Sequence, residues 1–195
     1  NLSEGDIPVD LRSLASLETL DLSENNFRSL PSSISHLSSL VVLGLDRCTS
    51  LQLLREFPPN LWALGARGCT SLEKLPNLSN FKTEHSKQNN VDFYFPSKEI
   101  PKWFSHQRMG SSISFHVPLH VEHQFLGMTL WAVYAAEKVE DLFKTLSLQV
   151  VISNRTNGSK WTHKPALYSI LVLSEGHSWV SHLPKSYFRY PIKGG

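Results

Sequence analysis

Cysteine is scarce in this sequence: Cys48 and Cys69 are the whole supply in 195 residues. That excludes a disulfide-rich secreted scaffold. Their equivalent places in neighbouring repeats mark seats for a small buried side chain and favour a reduced, intracellular compartment. Net charge is scarce too, since a formal +2 falls short of the massed Lys and Arg that nucleic-acid binding requires. The longest apolar stretch, Phe125 to Ala136, is well below the roughly 20 residues of a membrane span. No basic leader opens the chain, yet Asn1 falls in the middle of a repeat, as expected of a piece of a longer protein. G-x-x-x-x-G-K-[ST], a Gly-rich dinucleotide loop and G-x-S-x-G are all missing, so phosphate cradling and serine-hydrolase chemistry have no support. What remains is ordinary globular composition, 41% apolar and 18% charged, long enough for one large or two small cores.

What is present first is a repeat. Leu17-x-x-Leu20-x-Leu22-x-x-Asn25, Leu40-x-x-Leu43-x-Leu45-x-x-Cys48 and Leu61-x-x-Leu64-x-Ala66-x-x-Cys69 follow the leucine-rich-repeat template. Outer positions agree, because Leu30-Pro31, Ile34, Leu37 and Leu40 repeat Ile7-Pro8, Leu11, Leu14 and Leu17. Each L-x-L predicts a short strand with its leucines turned inward, and the Asn or Cys sits at a turn where buried backbone groups need partners. A last cycle, Leu78-x-x-Phe81-x-Thr83-x-x-Ser86, keeps the spacing but puts Thr83 in an inward slot, as a capping turn would. Alternation turns Thr19, Asp21, Ser23 and Glu24 outward on the concave face, then Val42, Gly44, Asp46 and Arg47, then Ala63, Gly65, Arg67 and Gly68. Any one of these can be plain solvated sheet. As a set they are candidate protein contacts.

From Val91 the period becomes two: Val91, Phe93, Phe95; Ile113, Phe115, Val117; Leu146, Leu148, Val150, Ile152; and Tyr168, Ile170, Val172. The run FLGMTLWAVYAA from Phe125 is apolar on both faces and predicts a central strand covered on each side. Turn signals at Pro96-Ser97, Met109-Gly110-Ser111, Pro118, Asn157-Gly158 and Glu175-Gly176 suit an antiparallel sandwich. His116, His120 and His123 do not read as a metal site, because Pro118 breaks the intervening chain and no cysteine is near. Glu137, Glu140 and Asp141 mix with Lys138 and Lys144 in a charge-rich link of the kind solvated loops have. Sequons stand at Asn1, Asn77, Asn154 and Asn157.

Several stretches then carry a resemblance. FPSKEIPKWFSHQRMGSSISFHVP, from Phe95 to Pro118, is similar to the start of the post-repeat domain of plant TIR, nucleotide-binding, leucine-rich-repeat immune receptors, whose usual form is F-P-G-x-E-I-P-x-W-F. Ser97-Lys98 replaces the usual glycine-containing pair. FLGMTLWAVYA from Phe125 and SEGHSWVSHLPKSYF from Ser174 follow in family order, and PPNLWALGARGCTSLEKLP from Pro58 resembles the last repeats. Members usually continue with another strand or two bearing a Cys-Gly pair, so the last strands of the sandwich are expected beyond Gly194-Gly195.

The resemblance implies an α/β-type leucine-rich-repeat solenoid end over residues 1–86, followed over 87–195 by an all-β antiparallel jelly-roll or Ig-like sandwich, the C-JID domain. It implies a non-enzymatic module without cofactor or metal that binds a pathogen effector protein in the cytoplasm or nucleus. It further implies contact with the rest of the receptor, a monomeric fragment and an oligomeric activated receptor. Contacts from both units would add His120, His123, Lys138, Glu140, Asp141, Asn154, Arg155 and Asn157 to the outward ladder residues. Trp103 in the junction motif is expected to pack rather than serve as a ligand platform. Two rivals stand beside this: a carbohydrate-binding or secreted protein, from the five tryptophans and the sequons, and a purely structural cap on the repeats.

Overall fold

An L-x-L triplet closed on both sides by turns makes a strand of minimal length. The computed structural model describes residues 2–3, 5–73, 91–116, 125–135, 145–146, 149–165, 170–171 and 176–188, and it contains such triplets. Strands β1 (Thr19–Asp21), β2 (Val42–Gly44) and β3 (Ala63–Gly65) lie parallel, with Leu20, Leu43 and Leu64 in one row. Between rungs the backbone bonds repeat: Leu22 N–H donates to Gly44 O at 2.8 Å and Leu45 N–H to Gly65 O at 2.6 Å. Leu43, Leu45, Leu64 and Ala66 are buried, in a core that also takes Leu11, Phe27, Ile34 and Leu37. Each fully buried leucine contributes roughly 1.5–3 kcal/mol. The return side of each rung is irregular or 3-10, at Arg12–Leu14 and Ser32–His36. Among the described residues, then, the helical part of the expected α/β class is reduced to single turns. Ile34 and Leu37 lie too close to a rung end for a longer helix to form before the next strand begins.

The strand seated beside β3 is β4 (Val91–Pro96), paired Ala63↔Asp92, Leu64↔Phe93 and Gly65↔Tyr94. Ala66 N–H donates to Tyr94 O at 2.7 Å, repeating the bond of the earlier rungs. Phe93 therefore sits in the leucine row, packs in the leucine core and meets Phe57 at 5.2 Å between ring centroids. The degenerate cycle at Leu78–Ser86 and the expected boundary at 86/87 lie outside the described residues. A single sheet nonetheless joins the two halves. Its order is β1-β2-β3-β4-β10-β5, where β5 is Gly127–Tyr134 and β10 is His177–Pro184, and β10 runs antiparallel to both neighbours.

Two antiparallel pairs complete the β-rich architecture. They are β6 (Thr145–Leu146) with β9 (Ile170–Leu171), and β7 (Val150–Ser153) with β8 (Lys160–His163). Trp161 of β8 and Ile152 of β7 pack on Leu183, Met128 and Leu130 of the large sheet, with Phe188 closing the cluster. The second layer thus covers the face that carries Asp92, Tyr94 and Trp179, while the opposite face continues the leucine core through Phe95 and Val180.

Two expectations are corrected. The run from Ile113 forms no strand over its described part, and Ile113 and Phe115 are exposed. Alternation without a neighbouring edge to pair with does not make a strand. The apolar run at β5 is not the covered central strand. It ends the sheet order and is only partly buried, whereas β4 and β10 are buried almost throughout. β10 can be central although it holds His177, Ser178 and Ser181, because Ser178 and Ser181 bond to Trp131 of β5 and His163 of β8, and His177 bonds to the rung turn at Gly68.

Candidate protein-recognition surface

The outer face begins at the rung turns. Glu24 and Arg47 hold positive φ, 60° and 58°, and Gly68 takes the same seat in the third rung at 71°. A non-glycine residue there costs about 1–2 kcal/mol. The side chain that follows each of these positions bonds the backbone of the rungs. Asn25 donates to Leu22 O at 2.9 Å and accepts from Leu2 N–H at 2.5 Å, Cys48 Sγ donates to Leu22 O at 3.1 Å, and Cys69 Sγ to Leu45 O at 3.0 Å. Asn25 thus bonds the carbonyl of its own rung, whereas the two cysteines each bond a carbonyl of the preceding rung. Neither is in a disulfide, and burial raises both thiol pKa values, that of Cys69 to about 12.

Along the strands the outward row is Asp21, Gly44, Gly65 and Tyr94. The Asp21 carboxylate lies over Gly44, where a Cβ would stand 2.6 Å from Oδ1, and Asp46 lies over Gly65, where the distance would be 3.0 Å. Glycine makes room for the acid of the preceding rung. Asp21 Oδ1 also accepts from Ser23 N–H at 3.0 Å, and the Ser23 hydroxyl first, then this backbone bond, lower the Asp21 pKa. Asp46 holds Arg67 through the Arg67 backbone N–H at 2.8 Å and Nε at 2.9 Å, and forms an ion pair with Nη2. The guanidinium stacks 5.6 Å from the Tyr94 ring centroid. Burial pulls the Arg67 pKa down, but the bonds and charge of Asp46 outweigh it and the net direction is up. Arg47 pairs with Glu24 at 2.8 Å in a more exposed setting.

The outward set therefore divides. Thr19, Asp21, Glu24 and Arg47 are exposed, Ser23, Val42, Asp46 and Arg67 are half-buried, and Ala63 is 1% exposed. Ala63 does not face an open surface. It shares its side of the sheet with its partner Asp92, and the second layer has closed over that side.

Beneath the closure lies a buried polar cluster that periodicity could not reveal. Asp92 Oδ1 accepts from Trp179 Nε1 at 2.9 Å and meets His163 Nε2 at 3.4 Å, and the same Nε2 meets Ser181 Oγ at 2.9 Å. His163 stacks on Trp179 at 5.7 Å. A carboxylate, an imidazole and a hydroxyl thus gather, but both contacts use one ring nitrogen, and all three residues are buried. A nucleophilic relay needs the acid on the other nitrogen and an accessible hydroxyl. These contacts tie β8 to β4 and β10. At the rung end, His177 Nε2 accepts from Gly68 N–H at 3.1 Å.

The β7–β8 hairpin holds Asn154, Arg155 and Asn157. Asn154 Oδ1 accepts from Thr156 N–H at 2.9 Å, Asn157 Oδ1 from Ser159 N–H at 3.0 Å, and Gly158 has φ +73°. Both asparagines shape the turn, and Arg155, Thr156 and Asn157 are exposed on it. His120, His123, Lys138, Glu140 and Asp141 lie outside the described residues. Trp103 is not packed away as expected but is 61% exposed, with Phe104 and Trp131 against it. The signal for that surface was in the sequence, in a Trp-Phe pair set in a leucine-free loop.

Residues 95–188 match the family model of the C-JID domain. This chain carries a C-JID domain. Similar proteins include the TMV resistance protein N of Nicotiana glutinosa, 32% identical over 67% of this chain and 15% of that protein. Disease resistance-like protein DSC1 of Arabidopsis thaliana is 28% identical over 80% of this chain and 17% of its own length. Disease resistance protein RPS4 of the same plant is 28% identical over 76% and 16%. The chain is thus homologous to the C-terminal region of plant TIR-NB-LRR disease-resistance proteins, and it spans about a sixth of the length of these relatives.

Proposed function

We propose that the chain is the end of a leucine-rich-repeat solenoid joined to a C-JID jelly roll, over 1–86 and 87–195, and that it recognises a pathogen effector protein. The observation that carries this is the open outer face of the first two rungs. Its charged side chains are held in place by Glu24–Arg47 and Asp46–Arg67, and the face runs on in the same sheet to the C-JID domain. Side chains fixed before binding lose less freedom when a partner arrives. Thr19, Asp21, Ser23, Glu24, Val42 and Arg47 supply the ladder contacts, and Arg155 with the other loop residues supplies those of the sandwich. In the whole receptor this module works in the cytoplasm or nucleus, contacts the remainder of the chain, is monomeric alone and oligomeric once activated. It performs no catalysis and requires no cofactor.

The test is binding of candidate pathogen effectors to the chain and to Asp21→Lys and Arg47→Glu, with urea unfolding as the control. Loss of affinity at unchanged stability supports the ladder face. Unchanged affinity in both variants removes it. Asp46→Lys and Arg67→Glu are poorer probes, because each also breaks the half-buried pair.

A capping role is favoured beside recognition by Phe93 in the leucine row. Without β4 the end of the ladder exposes Leu64 and the backbone of β3. Deleting residues 91–195 would leave an aggregating ladder on this account. A soluble, effector-binding remainder would refute capping.

A further inference from the structure

The loop after β4 carries the largest exposed aromatic side chain among the described residues, Trp103 at 61%, in a segment without regular strand or helix. Loops that expose a tryptophan usually let it move. This one is fastened. Phe104 N–H donates to Pro101 O at 2.9 Å, and Gln107 Nε2 donates to Pro101 O at 2.8 Å and Phe104 O at 3.0 Å, so the loop is closed by its own groups. Below it, Trp131 of β5 is fixed by a 2.9 Å bond from Nε1 to Ser178 Oγ. The Trp131 ring meets Trp103 at 6.3 Å and Phe104 at 6.1 Å, both edge to face, and Phe95 at 5.6 Å beneath. Trp103 is thus an anchor whose inner edge is packed and whose outer face is open. The ordering that binding usually demands is already made.

Charge indicates what such an anchor would meet. Lys98, Lys102 and Arg108 stand in the same loop, all exposed, against Glu99. None of the three cations is in an ion pair among the described residues. A neutral sugar would gain from the tryptophan but nothing from three cations. A partner with carboxylates would gain from both.

We propose that the aromatic ridge of Trp103, Phe104 and Trp131, flanked by Lys98, Lys102 and Arg108, is a docking surface for a separate acidic protein. That partner places an aliphatic or aromatic side chain of an acidic segment against Trp103. The surface lies on the leucine-core face of the sheet, opposite the outward ladder row. It therefore goes beyond the recognition proposed above and does not depend on it.

The probe is a synthetic peptide of about 12 residues alternating Asp or Glu with Leu or Phe, compared with its Lys-substituted twin, with binding read by fluorescence anisotropy on the whole chain. The acidic peptide binds, its affinity falls with rising salt, and the basic twin does not bind. Trp103→Ala weakens binding at least about tenfold, Lys102→Glu with Arg108→Glu weakens it several-fold, and Trp103→Phe keeps most of it. Unchanged urea midpoints separate lost contact from lost fold. Equal binding to wild type and Trp103→Ala, or no binding of the acidic peptide, overturns the proposal. So does binding of chitin or cellulose oligosaccharides that Trp103→Ala abolishes, because that makes the ridge a sugar platform. Effector-binding losses in Asp21→Lys and Arg47→Glu are measured separately, so either surface can fail alone.

Discussion

The ladder and the sheet it runs into are built by opposite methods. In the ladder one residue does the same job in every rung: Leu20, Leu43 and Leu64 pack in a row, and Asn25, Cys48 and Cys69 each answer a backbone carbonyl. In β4, β10 and β8 no job is repeated. Asp92, His163, Trp179 and Ser181 meet once, from three strands, with Asp92 far in sequence from the other three. A repeated contact tolerates any side chain that obeys the rule, as Phe93 does in the leucine row. A single contact fails when one member is lost.

Substitutions can break this contrast, and the largest effect is expected at Trp179. Trp179→Ala removes a core aromatic worth about 3–5 kcal/mol and leaves the buried Asp92 without its indole donor. The urea-unfolding midpoint should fall further than for any ladder residue. Leu64→Ala comes next, at about 2–5 kcal/mol, and Leu20→Ala should cost less, because Leu20 is only half-buried. Phe93→Leu restores the ladder rule at the fourth seat and should cost under about 1.5 kcal/mol. A larger loss there would mean that Phe93 belongs to the unique contacts and not to the row.

Asp46→Ala sharpens the comparison further, since it strips a half-buried guanidinium of its acceptor at a cost of about 1–3 kcal/mol. Arg47→Ala should cost no more than about 1 kcal/mol, its pair being exposed. Both are measured by the same unfolding curve.

The smallest effects are in protonation. Burial lowers the His182 pKa below its ordinary 6.5, so the fold holds the neutral ring. Its contribution is full above about pH 6.5 and is lost as pH falls through the lower folded value. His182→Gln should flatten that part of the stability profile between about pH 7.5 and 5. Cys48 and Cys69 should resist a thiol reagent at pH 8 in the native protein and react after unfolding, because burial holds both as thiols.

The contrast also decides what was legible from residues alone. The ladder was, because its rule is local: the turns, the inward leucines and the Cys seats stand where the spacing puts them. Asp21, Glu24 and Arg47 were rightly turned outward for the same reason. Ala63 was not, since it is buried on the side of the sheet that it shares with Asp92, and strand alternation does not tell which face a later layer covers. Ile113 and Phe115 alternate as a strand does but found no edge. β10 hid its central place behind histidine and serine, whose partners lie on other strands and on the Gly68 turn. Of the loop candidates only the hairpin Asn154–Asn157 can be placed, and there the asparagines shape the turn that presents Arg155.

The central claim is that β4 is the ladder's fourth rung, so that one sheet makes both regions a single cooperative unit. Native-state hydrogen exchange in rising urea tests it at the junction. The amides of Ala66 and Asp92, bonded across β3 and β4 at 2.7 Å to Tyr94 O and 2.8 Å to Trp62 O, should open with the same free energy as Leu45 in the ladder and Val180 in β10. Early exchange of Ala66 and Asp92, with Leu45 and Val180 still protected at separate levels, would contradict it.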